Sequence, residues 1–136
     1  MTSASYSPSL QVVVADVVRR AIMRWPAEHC RIERGAALLA RGAVSPLTPV
    51  SYAVRSQTDA GVVYSVTLNG CTCRDAAKIG PGMACKHRWA CDLLAIATER
   101  RRRLDRAADE RRARARVTAD RVALQYARSV GFPGVR

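Results

Sequence analysis

The sequence predicts an α+β chain of 136 residues: two helices, a short β-hairpin leading into a cluster of cysteines and one histidine, and a long basic helix. Three observations carry that reading. Apolar side chains recur at helical spacing over residues 10–39. Over 52–68 they alternate in strand fashion on both sides of Asp59-Ala60-Gly61. Residues 88–129 contain no glycine or proline, so nothing there breaks a helix. The expected organisation is a helical segment over 1–47, a small Cys/His module over 48–98 and an arginine-rich helical extension over 99–136.

Ser7-Pro8 supplies a capping hydroxyl and a proline at the first helical position, which starts the first helix. Leu10, Val14, Val17, Val18, Ala21 and Trp25 line one side of it, with Arg19, Arg20 and Arg24 on the other and Pro26 at its end. The Val12-Val13-Val14 run is the one feature that would suit a strand instead. A second helix is expected over 27–41, with Ile32, Ala36 and Leu39 on one face, and Gly42 stands where a C-terminal cap falls. Pro46 and Pro49 mark a connector. Strands follow over 52–54 and 62–68, and the Asn69-Gly70 turn delivers the first cysteines.

Cys71 and Cys73 are separated by one residue, and so are Cys85 and His87. Three sulfurs and one imidazole are the donors that a closed tetrahedral zinc site needs. In extended backbone, residues i and i+2 point to the same side, so one short segment can aim a pair of ligands inward. Gly80-Pro81-Gly82 is a bend that can fold the second pair back onto the first. With a helix expected to begin near Lys86, the metal would sit between a strand end and a helix start, as in small ββα zinc folds. Two alternatives fit less well: C-x-C cysteines bridge poorly as a disulfide, and a catalytic Cys-His pair would lack an orienting group and an oxyanion hole. Cys91, one helical turn beyond His87, is the substitute fourth ligand, though a small buried side chain suits it better. His29 and Cys30 offer too few donors for a second structural site.

The C-x-C-xn-C-x-H pattern of Cys71, Cys73, Cys85 and His87 resembles the SWIM zinc finger, a module of chromatin-remodelling ATPases, transposases, ubiquitin-ligase-type proteins and many bacterial chains. Asp75, the glycine-rich approach to Cys85, the apolar run over 89–94 and the strand over 64–68 match it too, whereas Ala76 and Ala84 depart from it. The resemblance covers residues 50–97. It implies a bound Zn²⁺ and a role in contacting nucleic acid or protein.

A net charge of +12 points to an anionic partner, nucleic acid first and DNA ahead of RNA. Arginine-favouring codon usage would explain why Lys78 and Lys86 are the only lysines, but not the excess over acid. Three thiolates and one Zn²⁺ sum to −3 + 2 = −1, which leaves the metallated chain strongly basic. The opening residues carry no basic side chain, and charges at Asp16, Arg19 and Arg20 break the apolar run after them. Neither a signal peptide nor a membrane span is therefore expected. Reduced thiols suggest a cytoplasmic location, nucleoid or nuclear if DNA-bound.

On the long helix Leu93, Ala97, Leu104, Ala108, Ala115, Val122 and Tyr126 form an apolar stripe, interrupted by Arg111. Arg100, Arg103, Arg114 and Arg121 fall beside it in a sector of about 60°. They are the expected phosphate contacts, joined by Arg74, Lys86 and Arg88 near the cysteines. Pairing of Glu99 with Arg103 and of Glu110 with Arg114 would instead make some of them ordinary surface charges. The expectation is a non-enzymatic zinc module that binds nucleic acid. The alternative is an adaptor that uses the stripe to hold a second copy or another protein.

Overall fold

In the computed structural model, which describes residues 8–80 and 82–134, the first helix, α1, spans Pro8–Arg24. Its buried face is Val13, Val17 and Ala21, with Leu10, Val14 and Val18 at the margin. Val13 rather than Val14 therefore lies at its centre. The expected cap, Ser7, lies outside the described residues, as does Pro81. Pro26 opens a single turn of 3-10 helix, Pro26–Glu28, before α2 (His29–Ala40), so the expected second helix is split in two. Ile32, Gly35, Leu38 and Leu39 are the buried face of α2. The helix stops where expected. Gly42, at φ 65°, donates to the Leu39 carbonyl and Ala43 to that of Leu38, the paired bonds of a left-handed glycine cap.

Four antiparallel strands follow in the order β1-β2-β3-β4: Val44–Thr48, Ser51–Arg55, Val63–Thr67 and Gly70–Cys71. The expected proline connector is thus in part a strand. β1 lies at the sheet edge, where Pro46 is tolerated because an edge residue has one side that needs no hydrogen-bond partner. The expected ββα module is correspondingly a four-stranded sheet with helices. A two-residue turn at Leu68-Asn69, one residue earlier than expected, leads into β4. Register places Val44 opposite Val54, Tyr52 opposite Val66 and Val54 opposite Tyr64, so these share one face. Val44, Val54 and Val66 are buried on it, while Ser65 and Thr67 face water.

A short helix α3 (Arg74–Lys78) precedes α4, which runs unbroken over Lys86–Ser129. Among the described residues, no helix is long and apolar enough to cross a membrane. At the end of α4, Gly131 donates to the Arg128 carbonyl and Phe132 to that of Ala127. The chain divides into two units, Met1–Arg100 and Arg101–Arg136. In the first, α1, α2, the sheet and the start of α4 share one core, with Ile32, Leu38, Val44, Val54 and Leu93 fully buried. Every buried residue of α4 lies between His87 and Ala97. In the second unit the helix carries local ion pairs, Arg101 with Asp105 at 2.8 Å and Arg112 with Asp109 at 3.8 Å.

The packing of α2 against α4 fixes the start of the long helix. A Cβ on Gly35 would stand 2.9 Å from the Ala90 nitrogen and 2.9 Å from the Lys86 carbonyl oxygen. Only a residue without a side chain permits that approach. Beside it, the Trp89 indole donates to Glu28 Oε2 at 3.2 Å and meets Trp25 in a tilted ring contact, with centroids 5.4 Å apart. Glu28 also holds Arg31, at 3.1 Å. These contacts anchor the helical turn that carries His87.

Candidate metal centre

Three elements converge on the cysteines. The register of β3 with β4 sets Cys71 opposite Val66, which aims its side chain at the core face of the sheet. Thr72 points the other way, where its hydroxyl accepts from the Ser65 N–H at 3.0 Å. Cys73 then returns to the core side, as the period of two in extended chain requires. Cys73 is also the N-cap of α3, and its sulfur accepts from the Ala76 N–H at 3.3 Å. Cys85 plays the same part just before α4, accepting from the Arg88 N–H at 3.5 Å. Two helix starts thus each direct an N–H at a cysteine sulfur, an arrangement that stabilises thiolate. The second pair is not extended like the first, because Cys85 caps the helix and His87 already belongs to it.

One sulfur from each of Cys71, Cys73 and Cys85 and one ring nitrogen of His87 all lie within 4.8 Å of one another. Ligand atoms around a tetrahedral ion bonded at about 2.3 Å to sulfur stand about 3.8 Å apart. Small side-chain adjustments close that difference, and the group could hold a metal ion. Two properties of the residues fit such an ion. His87 is 3% exposed, and neither of its ring nitrogens has a hydrogen-bond partner among the described residues. Leaving a buried polar atom unpaired costs about 1–3 kcal/mol. Tyr64 covers the imidazole, with ring centroids 4.5 Å apart.

The crowded thiols supply the second. The Cys71 S–H hydrogen-bonds to Cys85, and this first, with the neighbouring His87 and then the Arg88 N–H behind it, pulls the Cys85 thiol down to about 3 against the opposing effect of burial. The same bond, with burial next, pushes Cys71 far above the ordinary thiol range, and burial first of all raises Cys73. Alone, the three sulfurs do not ionise together at neutral pH; a divalent cation among them removes the conflict. The donor set is consistent with zinc.

The other candidates fall into place. Cys91 is 2% exposed, lies outside the four-residue group and belongs to the core, where burial raises its thiol to about 12. Cys30 is exposed, and His29 pairs with Glu33 at 3.0 Å.

Among the expected phosphate contacts, Lys86, Arg88 and Arg100 have side-chain partners. Arg74 is exposed at the start of α3. Lys86 donates to Gln57 Oε1 at 2.9 Å, and Arg88 lies 4.0 Å from Asp92. Arg100 is turned onto Asp16 at 2.6 Å, where Arg19 and Arg20 also converge and, Arg19 foremost, hold that carboxyl below its usual range. Arg100 is therefore occupied by Asp16. Arg103, Arg114 and Arg121 are exposed on the later part of α4. Among the described residues neither Arg114 nor Arg121 makes an ion pair, so the expected pairing of Glu110 with Arg114 is not formed. The expected stripe is divided as well: Leu93 and Ala97 are fully buried, whereas Leu104, Val122 and Tyr126 are exposed.

Sequence reasoning missed the capping roles of Cys73 and Cys85 and the part played by Gly35. Cysteine followed three residues later by a free helical N–H was the available signal for the caps; for Gly35 there was none. Comparison with family models, with curated proteins and with solved structures finds no match in any of the three.

Proposed function

We propose that the chain is a non-enzymatic zinc module of the SWIM type that binds nucleic acid, DNA in the first instance, through arginine–phosphate contacts. Cys71, Cys73, Cys85 and His87 are the zinc ligands. With all four positions filled by protein, none is left for water or substrate, so the metal's work is structural. It ties β4 and α3 to the first turn of α4, in a unit whose core is made largely of small side chains, where bound metal adds directly to folding energy.

The observation that carries the nucleic-acid reading is charge. Residues 101–129 hold ten arginines against four carboxylates, on a helical stretch with no buried side chain. Phosphate contacts of this kind position a protein without reading sequence. The test is a salt titration of duplex binding by protein with verified metal content. Affinity should fall steeply with salt, and the triple variant Arg103→Glu, Arg114→Glu, Arg121→Glu should lower the log–log slope by about 3 if each contacts one phosphate. Arg100 stays unaltered, since its removal would also break its ion pair with Asp16. Unchanged binding by that variant would remove the helix from the account.

A second reading, a protein-interaction adaptor, is favoured by Leu104, Val122 and Tyr126, which are 52%, 57% and 68% exposed along the later part of α4. It requires a dimer or hetero-complex by light scattering and little salt-dependent affinity for nucleic acid.

A further inference from the structure

A cleft of about 360 Å³ opens between the C-terminal end of α2 and the segment joining β2 to β3. Its walls carry Arg41, Arg55, Ser56, Gln57 and Thr58, and no carboxylate lines it. Arg55 is only partly exposed. It gives one hydrogen bond, from Nη2 to the Gly42 carbonyl at 3.0 Å, and no acid pairs with it among the described residues. The other part-buried arginines of this unit are matched: Arg31 meets Glu28, Arg88 meets Asp92 and Arg100 meets Asp16. Arg55 departs from that pattern, and a part-buried cation without a counter-charge is a costly arrangement unless something supplies one. Arg41, at the rim, likewise has no side-chain partner among the described residues.

The remaining groups present donors. Ser56 Oγ accepts from the N–H groups of Thr58 and Asp59, each at 3.3 Å, and meets Thr58 Oγ1 at 3.4 Å, so one of the two hydroxyls keeps a hydrogen to give. Gln57 spends its carbonyl oxygen on Lys86, so its NH₂ is the end left over. Near the end of α2 the carbonyls of Ala37, Leu39 and Leu38, which would repel an anion, are taken by the N–H groups of Arg41, Gly42 and Ala43. The neighbouring Asp59 carboxylate is turned into its own loop, accepting from Gly61 at 3.0 Å.

We propose that this cleft binds a phosphate group carried by an organic ester, with Arg41 and Arg55 as guanidinium anchors and the Gln57 NH₂ and one hydroxyl of the Ser56–Thr58 pair as further donors. Several donors approaching from different directions suit a tetrahedral oxyanion better than a flat carboxylate. The volume also exceeds what the phosphate alone would fill. The site is distinct from the arginines beyond residue 101, so its test succeeds or fails independently of theirs.

The experiment is an NMR titration of the full, metal-loaded chain with inorganic phosphate, at ionic strength held constant with sodium chloride. Saturable shifts should appear at the Arg55 Nε–H and the amides of residues 56–58. Arg55→Gln should weaken the affinity by about tenfold or more, the loss expected for one charge-assisted contact. Arg41→Gln, which breaks no contact in the fold, keeps the test sound should the Arg55 variant unfold. Absence of saturable shifts at these residues, or an Arg41→Gln variant that titrates like the parent, overturns the proposal. AMP and a short DNA duplex with hydroxyl ends then compete separately with the phosphate. Displacement by the duplex assigns the group to a nucleic-acid backbone, and displacement by AMP alone assigns it to a free monoester. Displacement by neither counts against the site.

Discussion

Replacing Gly35 by alanine tests whether the Cys/His cluster depends on the close crossing of α2 and α4. The new Cβ would meet backbone on two sides, at 2.9 Å from both the Ala90 nitrogen and the Lys86 carbonyl oxygen. Neither atom can rotate away, so the helices must part by about 0.5 Å to restore ordinary contact. Overpacking of this kind costs about 1–3 kcal/mol. Alanine returns up to about 1 kcal/mol, because glycine is a poor helix former. The net expectation is a loss of about 1–2 kcal/mol in urea denaturation of the metal-loaded protein. The displaced turn carries His87, so the same energy should reappear in a chelator competition as metal binding about tenfold weaker. An alanine variant as stable as the parent, or more so, would show that the crossing is loose and that the cluster is held in some other way. The sign is decisive, because at an open helical position the same substitution stabilises.

Adding a chelator to protein loaded with zinc should abolish the near-ultraviolet circular dichroism of the Trp25–Trp89 pair, which stands beside the turn bearing His87. A signal that survives complete metal removal would mean that the core folds without the ion. Glu28→Ala removes the carboxylate that receives the Trp89 indole, and should cost about 1.5–3 kcal/mol of stability, since the bond is to a charged group. Glu28→Gln keeps an acceptor there and should recover part of this in thermal melts; equal losses in the two variants would assign the effect to packing.

Much of the candidate site was legible because its signals are local. Two pairs of metal-type donors, each spaced by one residue, lie at a strand end and at a helix start, and the signals for both elements are written in adjacent residues. The end of α2 at Gly42 and the uninterrupted run of α4 are equally local matters of backbone preference. Less visible were features whose cause lies far along the chain. β1 hid behind Pro46, because proline reads as a strand breaker until the position is known to be an edge. Val13 displaced Val14 because the buried face of α1 is set by what packs on it, not by its own periodicity.

The sequence by itself determined the donor set, the helical and extended stretches and the excess of arginine, since each follows from residue type and spacing over a few positions. Only the tertiary structure decided that Gly35 lets α2 touch α4, that Asp16 claims Arg100, and that Arg55 is left without a counter-charge. Contacts between residues tens of positions apart depend on how separately formed elements pack, and no short-range pattern encodes that packing.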